Sequence, residues 1–149
     1  MSVTKTQGSG PHFRKILVGY DGSKPAEKAI EVALSLARSV KAKILVFAVA
    51  RPPEPPTSVE LQAVLDHARE HYEDEFTTIR RLAGEEVDLE TEVAVGHPAE
   101  QIVHKAETDQ VDLIIMGRRG VSQFEKWLLG SVSERVLRYA HCPVMVVPN

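Results

Sequence analysis

Residues 116–131 carry the most chemistry in this chain: Met116-Gly117-Arg118-Arg119-Gly120, then Gly130-Ser131. Glycine lets backbone N–H groups come close to an anion, and a helix N-terminus adds about half a positive charge. Gly117, Gly120, Gly130 and Ser131 therefore read as a phosphate cradle. A second reading competes with it. Ser131-Val132-Ser133-Glu134 spells a capping box, with Ser131 as N-cap and Glu134 three residues on. That box accounts for Ser131 and Glu134 but not for three spaced glycines, any one of which a generic turn explains. The pattern alone leaves both readings open.

Two further constellations bear on chemistry. Asp21-Gly22-Ser23 follows an apolar run, so Asp21 is either a site carboxylate or a turn residue that caps the next helix. His67-Ala68-Arg69-Glu70-His71 spells H-x-x-E-H, and two histidines at i, i+4 are able to share a metal. At 100° per residue the histidines flank the apolar stripe and Glu70 points nearly opposite it. No third ligand is evident, so a solvated helix face is the expectation, with no metal site. No G-x-G-x-x-G follows the first apolar run and no G-x4-G-K-[ST] occurs. Those absences argue against a Rossmann-type dinucleotide fold and a Walker-type NTPase. The nucleophile elbow G-x-S-x-G is missing too.

The elements that must position these residues follow from periodicity. Residues 15–20 and 43–49 are β-branched apolar runs, read as strands buried on both faces. Between them Ser23 is a helix N-cap with Pro25 just inside, followed by apolar Ala26, Ala29, Ile30, Ala33, Leu34 and Ala37 at helical spacing. The proline run at 52–56 is a stiff connection. Residues 61–83 form a long amphipathic helix striped by Leu61, Leu65, Ala68, Tyr72, Phe76 and Ile79. Residues 87–95 alternate apolar and acidic residues, which suits a strand toward a sheet edge. A helix from Pro98 to about residue 107, a strand at 112–116, a helix at 131–139 and a strand Val144–Val147 complete the chain. This alternation predicts an α/β fold: an open, doubly wound, five-stranded parallel sheet with helices on both faces. Ligands in such sheets sit beyond the carboxyl ends of the strands, where strand order reverses. Asp21-Gly22-Ser23 and the 117–120 glycines share that rim.

Bulk properties narrow the class. The 149 residues carry a net charge of −3 with 43% hydrophobic and 26% charged residues. This predicts one domain at 13–149 behind a loose tail at 1–12. The acidic balance, reinforced by charges alternating along the 61–83 helix, argues against nucleic acid as a partner. One cysteine, Cys142, precludes an internal disulfide. With no signal peptide and no run of 18 apolar residues, a cytoplasmic protein without a membrane span is expected.

The chain resembles the universal stress protein family over residues 13–148, and its glycine pattern resembles that of the ATP-binding branch. Matching segments are Gly19-Tyr20-Asp21-Gly22-Ser23, Gly96-His97-Pro98, Leu129-Gly130-Ser131-Val132-Ser133-Glu134-Arg135-Val136 and Cys142-Pro143-Val144-Met145-Val146-Val147. The resemblance implies ATP, with Mg²⁺, held between the ends of the first and fourth strands. It implies that Asp21 meets the ribose, that Gly19 and Ala48 line an adenine slot, and that Met116 packs near base or sugar. Gly117, Gly120, Gly130, Ser131 and Val132 would offer backbone N–H groups to phosphates, with hydroxyls from Ser131 and Ser133. Arg118 departs from a pattern that often has a small hydroxyl residue there. Arg119 stands where the pattern has its basic residue and joins the implied nucleotide contacts. The resemblance further implies a homodimer through Val144–Val147. Without it, Ala48 and Met116 read as sheet core and Asp21 as a turn residue. The implied role is a nucleotide-dependent stress or regulatory module with at most slow hydrolysis. Two alternatives stand beside it. One is an enzyme transferring phosphoryl or adenylyl groups, with His97 or Asp21 as base; the other is a protein-interaction module that binds no nucleotide.

Overall fold

The computed structural model describes residues 12–54, 57–118 and 129–148. Element order is β1 (Lys15–Gly19), α1 (Lys24–Val40), β2 (Lys43–Ala50), α2 (Ser58–Ala83), β3 (Leu89–Val95), α3 (Pro98–Thr108), β4 (Leu113–Gly117), α4 (Ser131–Tyr139) and β5 (Val144–Val147). The five strands form one sheet in the order β3-β2-β1-β4-β5. Every pairing is parallel. The doubly wound α/β sheet expected from the alternation is therefore the fold.

Burial explains the strand sequences. Ile16 and Val18 face one side of the sheet with Ile44, Val46, Leu113 and Ile115, beneath Ala29, Ile30 and Ala33 of α1 and Tyr72, Phe76 and Ile79 of α2. Leu17 faces the other side with Leu45, Phe47 and Ile114, beneath Ile102 of α3 and Val136 of α4. Ile16, Leu17 and Val18 are wholly buried. Each such side chain contributes about 1.5–3 kcal/mol of hydrophobic stabilisation. A strand covered on both faces has no wet side, so no alternation survives in its sequence. The outer strand β3 keeps the alternation, with Glu90 and Glu92 exposed.

Local chemistry sets the helix starts. Ser23 caps α1, its Oγ accepting from Ala26 N–H at 3.3 Å, with Pro25 inside the first turn. Helix α2 starts three residues before the first apolar stripe position, at a capping box. Thr57 Oγ1 accepts from Glu60 N–H, and Glu60 Oε2 accepts from Thr57 N–H. No helix among the described residues is long and apolar enough to cross a membrane.

Candidate functional site

Strands β1 and β4 are neighbours, and strand order reverses between them, which opens a crevice at their carboxyl ends. Gly19 ends β1 on the α3 side. A Cβ there would lie 3.3 Å from Ile102 Cδ1 and 3.7 Å from Met116 Cβ. Gly19 and Met116 are thus brought together under α3. Ala48 does not join them: it is wholly buried on the opposite face of the sheet, within the α1/α2 core.

The next residues turn sharply into α1. Gly22 has φ +80°, a left-handed conformation that favours glycine. Asp21 is exposed, and its Oδ1 accepts from Ser23 N–H at 2.9 Å. The carboxylate therefore supports the turn, while Ser23 supplies the helix cap. Beside the turn lies a cluster not anticipated from the sequence. The Tyr20 hydroxyl donates to Glu75 Oε1 at 3.3 Å. Tyr20 packs edge-on against Tyr72, centroids 6.0 Å apart, and Tyr72 stacks on Phe76. Burial first, then the charge and hydrogen bond of Glu75, push the Tyr20 phenol far above its ordinary range. Burial, followed by the charges of Asp21 and Glu75, raises Tyr72 as well. The available signal was Glu75 itself, an acid between Tyr72 and Phe76 at the margin of an apolar stripe.

Across the crevice the end of β4 meets α4. A Cβ at Gly117 would fall 2.6 Å from Pro25 Cβ and 2.7 Å from Pro25 C, so the first turn of α1 fills that space. The Gly117 carbonyl accepts from Ser133 Oγ at 2.9 Å. Ser133 is the one buried polar residue among those described, and its hydroxyl hydrogen is committed to this bond. Arg118 continues the strand edge, donating its N–H to Val147 C=O, and its own carbonyl accepts from Gly130 N–H, both at 2.9 Å.

The capping box expected at Ser131 is not what starts α4. Gly130 is the N-cap, at φ −61° and ψ 151°, and no side chain among the described residues caps the helix. Ser131 is already the first helical residue, exposed, which places Glu134 one position too far along to close a box. Glu134 instead pairs with Arg138 at 3.2 Å. The first intrahelical bond runs from Glu134 N–H to Gly130 C=O. The preceding N–H groups of Ser131, Val132 and Ser133 therefore have no intrahelical carbonyl, as at any helix start, and the Gly130 cap has no side-chain oxygen to offer them. Gly117, Gly130, Ser131, Val132 and Ser133 are assembled at this one corner. Arg119 and Gly120 lie outside the described residues.

The remaining candidates separate from the site. His67, Glu70 and His71 are all exposed on α2, and no group of three His, Cys, Asp or Glu suited to a metal occurs among the described residues. His97 is the N-cap of α3, and its Nε2 lies 3.5 Å from Glu54 Oε1.

Comparison with known proteins bears on the family and the fold. Residues 12–148 match the model of the Universal stress protein family. A universal stress protein of Methanocaldococcus jannaschii is 34% identical over 139 residues, covering 91% of this chain and 82% of that protein. The solved structure of a universal stress protein from Lactobacillus plantarum superposes with a TM-score of 0.82 at 24% identity, over 93% of this chain and 99% of that one. A universal stress protein solved in complex with cAMP superposes with a TM-score of 0.71 at 25% identity, over 91% and 97% of the two chains.

Proposed function

Because the chain belongs to the universal stress protein family, we propose that it binds ATP at the β1–β4 crevice and works as a nucleotide-dependent stress-response or regulatory module. The observation that carries the reading is the start of α4, a glycine-capped helix end whose first-turn N–H groups meet no capping side chain among the described residues. An anion at such an end is stabilised by those donors and by the helix dipole. Asp21 stands exposed at the neighbouring strand end, suited to accept from sugar hydroxyls. The relative bound to cAMP supports an adenine nucleotide as the ligand class. Any accompanying Mg²⁺ would be held chiefly by the phosphates, as is usual for this ion.

Binding without fast turnover is the second half of the proposal. Neither candidate base is assigned to the phosphates: Asp21 gives one oxygen to the Ser23 amide and is assigned to the sugar, and His97 stands at the start of α3 beside Glu54. Hydrolysis slower than about one per minute is expected, against about 10 per second for ordinary enzymes. Anion exchange of the supernatant from denatured, freshly purified protein, read by adenine absorbance, tests the ligand directly. An empty site together with no heat on titrating MgATP overturns the reading. Gly120→Val is expected to abolish binding and leave the fold intact.

A homodimer through β5 belongs to the same proposal. Strand β5 is a sheet edge, Met145 on it is exposed, and Val32 and Leu36 of α1 flank Met145. An open edge of this kind invites strand pairing. Sedimentation equilibrium giving a monomer at micromolar protein would refute the dimer.

A further inference from the structure

We infer that Glu75, on α2, is a positioning residue for this site: it holds the turn that carries Asp21 from behind. The inference rests on the nucleotide reading above and names a residue outside the crevice on which that reading depends.

Glu75 meets the chain on both sides of Asp21. On one side it accepts the Tyr20 hydroxyl at 3.3 Å. On the other, a Cβ at Gly22 would lie 3.3 Å from Glu75 Oε1 and 3.6 Å from Oε2. The carboxylate therefore fills the space a side chain at position 22 would take. Gly22 is suited to the turn twice over, by its φ of +80° and by this contact.

Glu75 Oε2 is buried with no hydrogen-bond partner among the described residues. Burying a carboxylate oxygen without a donor costs free energy, so its position is held by its surroundings and not by that atom's own bonding. The surroundings are the adjacent Phe76 and, about one turn either side, Tyr72 and Ile79, core side chains that fix α2 against the sheet. Tyr20 is fixed in turn by its N–H bond to Phe47 C=O at 3.0 Å. Helix, carboxylate and strand end thus form a frame, and Asp21 is the exposed residue suspended between Tyr20 and Gly22. A shift at Glu75 reaches the crevice through Asp21.

Calorimetric titration of MgATP into the whole chain tests this with Glu75→Ala, Glu75→Gln, Asp21→Ala and the Asp21→Ala/Glu75→Ala double variant. Amide exchange at Ser23, read by NMR without nucleotide, accompanies it. Glu75→Ala is expected to weaken affinity about tenfold, the scale of one hydrogen bond to a charged group. Glu75→Gln keeps the bulk and the acceptor for Tyr20, and is expected to restore affinity to within about threefold of the parent. In the Asp21→Ala background, Glu75→Ala should change nothing further, because its effect passes through Asp21. Ser23 exchange should accelerate in Glu75→Ala. Unchanged affinity in Glu75→Ala, an equal loss in Glu75→Gln, or additive losses in the double variant would each overturn the inference. A parent protein that binds no nucleotide refutes the nucleotide reading instead. Ser23 exchange then still decides whether Glu75 holds the turn, and unchanged exchange overturns that as well.

Discussion

Helices α1 and α4 both begin against Gly117, one on each face of the sheet. At α1 the first turn is satisfied from within: Ser23 Oγ takes the Ala26 N–H, Asp21 Oδ1 takes the Ser23 N–H, and Pro25 has no N–H to satisfy. At α4 the cap is a glycine, and no side chain among the described residues caps its first turn. Both helices have ordinary amphipathic bodies. The difference lies in two or three residues at each start. It teaches that a helix end built for stability and one available for an anion are told apart by the cap, not by the helix.

The largest effect should come from the residue the two starts share. Gly117→Ala places a methyl where Pro25 already lies and should displace α1 or the end of β4. Overpacking of this kind costs about 3 kcal/mol. Calorimetry should show Tm falling by roughly 6–12 °C for a chain of this size. A Tm within a degree of the parent would mean the two starts are not wedged together at this point.

Next is a change that makes α4 resemble α1. Gly130→Asp fits the extended backbone there and supplies a capping carboxylate for the first-turn N–H groups. It should add only about 0.3 kcal/mol to helix stability, since glycine is itself a tolerable N-cap. It should also weaken ATP binding by roughly a hundredfold or more, because the carboxylate occupies the donors and repels phosphate. Titration calorimetry and a melting curve on one sample check both. Retained affinity would show that the phosphate does not use this helix end.

Two smaller substitutions sharpen the contrast. Ser133→Ala removes the donor to Gly117 C=O and should cost about 1–2 kcal/mol, read by urea denaturation. Ser23→Ala removes the α1 cap and should cost about 1 kcal/mol, with ATP affinity unchanged. A large affinity loss from Ser23→Ala would erase the distinction between the two starts.

The fold was legible because buried parallel strands write themselves as apolar runs and the helices carry their stripes. The helix starts were harder to read. Ser-x-x-Glu occurs at 131–134 and Thr-x-x-Glu at 57–60, and only the second forms a box. The cue is indifferent to register, and at 131 the preceding glycine took the cap position. Gly117 was read as a donor for phosphate, yet its lack of a side chain is already demanded by Pro25, ninety-two positions earlier in sequence. Ala48 and Met116 both sit near strand carboxyl ends, but the pleat sends them to opposite faces. Such contacts depend on tertiary packing, which periodicity does not encode. The Tyr20–Glu75 bond is likewise a meeting of elements fifty-five residues apart.

Arg118 and Gly130 are joined by one backbone hydrogen bond of 2.9 Å, which pins two points of the chain twelve positions apart to each other at the rim. The consequence is evolutionary. Strand register here is set by the ladder between β4 and β5, so the number of residues between Arg118 and Gly130 can change while that register stays put. Doubling that number would cost only about 0.6 kcal/mol of closure entropy. A lineage can therefore vary chain length at this rim without renegotiating the core.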